Sequence, residues 1–231
     1  MKTQPFEKHV WAEIDLDALR HNFRAVKARA GDLPLCAVVK ADSYGHGAVQ
    51  CARVFAQEGA AWLAVSCLTE AVQLRQDGQT LPILILGHVQ PEYAQTLIHE
   101  DITVACYSTE QAQNLSAAAV KAGGRVKIHL KADTGMGRIG YLADETDTAI
   151  EDIRKIQGLK KFKIKGMFSH MATADAFDKT YSHQQEEKFN NFYKALTGAG
   201  IEIPFRTLAN SASVMELPTV HFDACRPGII L

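Results

Sequence analysis

The run Cys36-Ala37-Val38-Val39-Lys40-Ala41-Asp42-Ser43-Tyr44-Gly45-His46-Gly47 decides how the rest of the chain reads. Four apolar residues stop at a lysine, and two glycines follow in a polar turn. A run this short and without polar alternation suits a strand covered on both faces. Similar runs recur at residues 61–65, 83–86, 102–106, 126–130, 164–168, 205–208 and 225–231, with an earlier one at 10–14. Amphipathic stretches lie between them. Residues 16–28 follow Asp15, a good N-cap, and 108–121 open Ser-Thr-Glu-Gln and stop before Gly123-Gly124. Residues 184–196 carry Phe189, Phe192, Tyr193 and Leu196 at helical spacing.

Strand followed by helix, repeated, predicts an α/β fold with a parallel sheet and crossover helices. With the run at 10–14 set aside, eight strands remain, the number that closes a (β/α)8 TIM-type barrel. An open doubly wound sheet is the other reading of the same pattern. No low-complexity tract or Pro/Gly-rich linker divides the chain, which predicts one domain.

Composition removes several functional classes. Lys plus Arg is 25 and Asp plus Glu is 26 among 231 residues, a formal charge of −1, so bulk attraction to nucleic acid is missing. Apolar residues are 47 % of the chain, enough for a core. No stretch has the roughly 18 consecutive apolar residues of a membrane span. The first ten residues hold no apolar segment typical of a secretory signal. The five cysteines form no C-x-x-C pair and sit mostly in apolar runs, which predicts reduced thiols in a cytoplasmic protein and no metal site.

Barrel chemistry collects where strands end. Lys40 ends one strand, Lys131 another, and Asp133 with Gly135–Gly140 follows the latter. Ser169-His170, Asn210-Ser211 and Arg226-Pro227-Gly228 occupy three further ends. Lys40 reads either as a snorkelling or Asp42-paired amine, or as a desolvated nucleophile that forms a Schiff base. Gly135, Gly137 and Gly140 spell G-x-G-x-x-G, but four residues separate them from the strand, so they read as a loop that presents Arg138. Asn210-Ser211 reads as a helix N-cap that can also bind phosphate. Gly228 permits close approach of a ligand to the backbone. His170 alone reads as an interior histidine, and Arg226 alone as half of a buried ion pair.

Together these segments carry a resemblance. Residues 37–47 resemble the pyridoxal-phosphate attachment motif of alanine racemases. Trp11-Ala12-Glu13-Ile14-Asp15-Leu16 resembles that family's opening, and residues 131–140 its second signature. Phe168-Ser169-His170, Ala209-Asn210-Ser211 and Arg226-Pro227-Gly228-Ile229 follow in family order. The resemblance implies pyridoxal 5′-phosphate held by Lys40 as an internal aldimine at the mouth of the barrel. It implies phosphate contacts from Tyr44, Asn210, Ser211, Gly228 and Ile229, and Leu86 beside the ring. It implies Arg226 at the pyridine nitrogen, His170 beside Arg226, Arg138 near the phenolic oxygen and substrate carboxylate, and Lys131 as a carbamylatable position. The catalytic set it implies is Lys40, Arg138, His170 and Arg226.

The implied reaction interconverts L-alanine and D-alanine by two-base proton exchange, supplying D-alanine for peptidoglycan precursors in a cytoplasmic homodimer. The implied division is an N-terminal strand and helix in residues 1–33 and the cofactor barrel in 34–231, with a C-terminal β domain lying outside. The first strand is expected to join that absent domain, and the barrel to lack its final helix. The second base, a tyrosine, is expected beyond Leu231, so the chain alone is expected to be inactive. Three rivals remain: a serine or broad-specificity racemase, a non-catalytic cofactor-binding barrel, and an amino-acid decarboxylase, which would place a glutamate at Arg226.

Overall fold

The computed structural model describes residues 10–231. Helix α1 (Leu16–Ala30) opens on Asp15, whose carboxylate accepts from Asp17 N–H and Ala18 N–H. Then follow β1 (Cys36–Val38), α2 (Lys40–Tyr44), α3 (Ala48–Gln57), β2 (Trp62–Val65), α4 (Leu68–Gln76) and β3 (Ile83–Ile85). The chain continues through α5 (Ala94–His99), β4 (Ile102–Cys106), α6 (Thr109–Lys121), β5 (Val126–Asp133), β6 (Tyr141–Leu142) and α7 (Thr146–Gln157). It ends with β7 (Phe162–Phe168), α8 (Thr180–Gly198), β8 (Arg206–Thr207) and α9 (Ser211–Glu216).

The sheet runs β1-β2-β3-β4-β5-β7-β8, every pair parallel, with β6 added beside β5. Its two edges meet through residues 225–227. Cys36 N–H donates to the Cys225 carbonyl at 2.8 Å and Val38 N–H to the Pro227 carbonyl at 2.9 Å. On the other side Arg226 N–H donates to the Ala209 carbonyl at 3.0 Å. The eighth expected strand is thus a single bridge, Leu35 to Cys225, flanked by these bonds. The architecture is an α/β fold with a curled parallel sheet, an incomplete (β/α)8 barrel.

Strand side chains alternate between two apolar layers, as the period of two requires. Ala37, Val39, Leu63, Val65, Ile83 and Ile85 face the helices and pack with Phe23, Phe55, Leu74 and Phe189. Cys36, Val38, Ala64 and Leu84 face the barrel interior, with Trp62, Tyr44 and Leu86 against them. Burial on both faces explains why the strands read as continuous apolar runs. Phe23 and Phe55 stack with centroids 5.7 Å apart and fasten α1 onto α3.

Residues 10–14, expected to join a domain outside this chain, pair with no described strand: Val10 is 87 % and Trp11 66 % exposed. One expectation changes. Strand β5 runs three residues beyond the expected 126–130, so Lys131 lies inside it. As expected, Gly135–Gly140 form a loop and open no helix; the loop returns to pair β6 with β5, and α7 starts only at Thr146.

Inside the barrel the His129 ring lies 6.3 Å from Phe205 and 6.4 Å from Phe168, centroid to centroid. Burial, then the charges of Arg226 and Lys165, push its pKa down to about 3. His170 is also pushed down to about 3, by burial first. Unfolded, both rings take up a proton near the ordinary 6.5. Their contribution to stability is therefore complete above that value and is lost as pH falls toward 3. Each contributes a slope of about 1.4 kcal/mol per pH unit in that window. Urea unfolding of the chain at pH 7 and pH 5 is expected to show this loss, and His129→Leu to flatten it; identical slopes in the two proteins would refute the assignment.

Candidate active site

Lys40 lies one residue past the end of β1, after Val39, and the backbone after it turns the wrong way for an ordinary helix. Ala41, Asp42 and Ser43 have φ/ψ of 51/51, 53/44 and 55/50, and Tyr44 has φ 55. Left-handed L-residues cost roughly 1–2 kcal/mol each, so the turn needs external support. Asp42 supplies part of it, accepting from Ala48 N–H at 2.7 Å through Oδ1 and from Gly47 N–H at 2.8 Å through its carbonyl. Ser43 N–H donates to the Val39 carbonyl at 2.9 Å. The turn brings the Tyr44 ring within 6.0 Å of the Lys40 ammonium.

The Tyr44 hydroxyl lies over Gly228, where a Cβ would collide with it. Gly228 N–H donates to Ser211 Oγ at 2.9 Å. The Ser211 hydroxyl hydrogen is then free to be donated, so two hydroxyls and a bare stretch of backbone form one cradle. Burial pushes the Tyr44 phenol up, which keeps it a donor at neutral pH. Asn210 stands beside the cradle, but its side chain caps α9: Oδ1 accepts from Ser213 N–H at 3.1 Å and Nδ2 donates to the Met171 carbonyl at 3.2 Å. Ile229 is 67 % exposed.

Arg226 is 4 % exposed. Its guanidinium donates to Thr207 Oγ1, to the Ser169 carbonyl at 2.5 Å and to the Leu208 carbonyl at 3.5 Å. Among the described residues it meets no carboxylate. Burial pulls its pKa down to about 10, so it remains a cation at neutral pH. A buried cation held only by neutral acceptors is costly in isolation and suits a place where a ligand supplies an acceptor.

Lys131 Nζ donates to the Ala132 carbonyl at 2.7 Å and lies 5.5 Å from the Phe168 ring, which Arg226 also approaches at 5.3 Å. Burial pulls Lys131 down to about 7. After it the chain folds around Asp133. Burial pushes that carboxyl up, but N–H bonds from Gly135 (2.9 Å) and Gly137 (3.1 Å) outweigh it, and the group sits below the usual range. Gly140 crosses β5 so closely that a Cβ would sit 2.7 Å from Asp133 N and 2.8 Å from the Lys131 carbonyl. This loop carries Arg138 at the surface of the mouth. His170 feels the charges of Arg226, Arg138, Lys131 and Lys40, so these five groups share one region. Leu86 packs at the top of the inner apolar layer.

Two positions escaped the sequence reading. Gln185 of α8 is fully buried, donates to Thr134 Oγ1 at 3.3 Å and to the His170 carbonyl at 3.1 Å, and accepts from Ala172 N–H at 2.8 Å. It ties the ends of β5 and β7 together. A polar residue four before Phe189, on the buried face of an amphipathic helix, was the available signal. Glu70 of α4 binds Ala41 N–H and Ser66; its place three residues into a helix suggested only a local cap.

Known proteins share this chain's sequence and fold. Residues 14–231 match the family described as alanine racemase, N-terminal domain. An alanine racemase of Clostridium perfringens is 43 % identical over 221 residues, covering 96 % of this chain and 57 % of that protein. One of Desulfovibrio desulfuricans is 44 % identical over 228 residues, covering 98 % and 60 %. The solved alanine racemase of Clostridium difficile superposes with a TM-score of 0.91 at 37 % identity, over 97 % of this chain and 59 % of that one. A Bacillus anthracis alanine racemase with bound L-Ala-P superposes at 0.90 with 33 % identity, over 98 % and 58 %. The chain thus spans a little under two thirds of the length of the relatives it matches, and within that span it belongs to the alanine racemase N-terminal domain family.

Proposed function

We propose that this chain binds pyridoxal 5′-phosphate and serves the interconversion of L-alanine and D-alanine. The observation that carries the reading is Arg226, a buried cation that meets no carboxylate among the described residues and whose charge, like that of Lys40, acts on His170. The residues fit the cofactor. Lys40 is the amine that holds it, and the Tyr44, Ser211 and Gly228 cradle, extended by Asn210 and Ile229, suits a phosphate. When bound, the cofactor supplies an electron sink for the substrate α-carbon. Arg226 donates and cannot accept a proton, so it leaves a facing pyridine nitrogen unprotonated and restrains that sink. This favours proton exchange over side reactions and disfavours the decarboxylase reading, which needs a carboxylate there. His170, neutral at physiological pH, is affected by the Arg226 charge and is not a second cation. Arg138 at the mouth binds the substrate carboxylate, and Leu86 borders the ring. Lys40 moves the α-proton on its own face of the substrate.

The opposite face calls for a second base, and no described residue is assigned to it. We place it in a partner subunit of a cytoplasmic homodimer. Lys131 has the neutral amine that adds carbon dioxide: nitrogen bonds to the carbon and a proton is released. The resulting carbamate would give Arg138 an anionic neighbour.

Incubation with L-alanine in deuterated water is the direct test of the reaction. Exchange of the α-proton without carbon dioxide release, abolished in Lys40→Ala, is expected; decarboxylation would reverse the assignment. Gly228→Ala is expected to displace the Tyr44 hydroxyl and weaken pyridoxal phosphate binding about tenfold or more, the worth of one bond to a charged group, in an absorbance titration. Unchanged affinity would remove the cradle from the phosphate site. In buffer equilibrated with 13C-labelled carbon dioxide, a carbamate resonance dependent on Lys131 is expected to grow between pH 6 and 8, as the amine loses its proton near 7. A signal that persists in Lys131→Met would exclude it.

A further inference from the structure

Glu70 is the third residue of α4, where a glutamate ordinarily reaches back to the N–H of its own N-cap residue. Here the N-cap is Cys67, which makes no side-chain capping bond, and the carboxylate goes elsewhere. Oε2 accepts from Ser66 N–H at 2.7 Å and from the Ser66 hydroxyl at 2.8 Å. Oε1 accepts from Ala41 N–H at 2.7 Å. One carboxylate therefore joins the loop after β2 to the turn after β1.

The Ala41 N–H belongs to the peptide that follows Lys40. Holding it fixes the plane of that peptide and hence the direction in which the Lys40 side chain leaves the backbone. The next four residues all lie in the left-handed region, so the turn is inherently unfavourable and shifts readily if released. The far end of the turn is anchored by Asp42 to Ala48, and the near end by Glu70. The Ser66 arm rests on rigid backbone. The Ser66 carbonyl packs against Gly87, where a Cβ would collide with it, and Leu86 N–H donates to the Val65 carbonyl at 2.8 Å, so the segment just after β3 backs the loop that aims the carboxylate.

We propose that Glu70 is a positioning residue for the Lys40 amine, holding the left-handed turn in the orientation that lets Lys40 reach a bound aldehyde. This rests on the reading of Lys40 as the cofactor lysine. It adds a residue that touches neither cofactor nor substrate. The step it governs is addition of the Lys40 nitrogen to the aldehyde carbon of pyridoxal phosphate, with formation of the carbon–nitrogen double bond and departure of water.

The test compares the full chain with Glu70→Ala and Glu70→Gln. Capture of pyridoxal phosphate at Lys40 is trapped with borohydride and followed by peptide mass against time. Hydrogen exchange at the Ala41 amide is measured without cofactor, and inorganic phosphate affinity is measured separately. Loss of a charge-assisted bond predicts capture slowed roughly tenfold or more in Glu70→Ala, with faster Ala41 exchange and phosphate affinity within about twofold of the parent. Glu70→Gln keeps an oxygen for Ala41 N–H and loses an acceptor for Ser66, so it is expected to recover part of the rate. That variant decides the matter if Glu70→Ala fails to fold. Unchanged capture and unchanged Ala41 exchange would overturn the proposal. If the parent chain captures no cofactor at Lys40, the cofactor reading falls, and Ala41 exchange alone then supports or overturns the anchoring role.

Discussion

Residues 225–227 bind Cys36 and Val38 on one side and Ala209 on the other, and much of the molecule depends on that junction. A curled parallel sheet has two edges of unpaired backbone groups, which are costly when buried. Here the two edges are satisfied by one short segment. The same segment carries Arg226 inward and Gly228 against Tyr44. Joining the sheet edges and building the site are therefore one event. A displacement of this segment by one residue would reverse which side chains face the interior, so the backbone bonds also fix the chemistry.

The electrostatics follow from the same enclosure. Lys40, Lys131, Arg138 and Arg226 gather near His170, with Asp133 the acidic group among them. Burial lowers the pKa of Lys131 and His170, and neighbouring positive charge lowers His170 further. An excess of positive charge in a partly buried region matches the proposed binding of a phosphate and a carboxylate. Its rigidity comes from groups with no charge of their own in the chemistry. Gln185 joins the ends of β5 and β7, and the Gly140 crossing holds the Arg138 loop against β5.

Most of the architecture was legible because the strands are buried on both faces and stand out as apolar runs. The helix starts at Asp15, Ser108 and Asn210 were legible because capping is local. The end of β5 was read short because Lys131 and Asp133 look like loop residues, yet the barrel interior buries them. The left-handed turn was invisible, since Ala41 and Tyr44 carry no preference for that conformation.

The sequence by itself determined the order of strands and helices and the chemical groups standing at the strand ends, since both follow from local periodicity and residue identity. It also determined the family, because several separate motifs occur in the required order. Only the tertiary structure decided that Arg226 meets no carboxylate among the described residues, that Lys131 has a lowered pKa, and that Glu70 reaches across to Ala41. Those properties depend on desolvation and on distances between segments far apart in the chain, which no local pattern encodes.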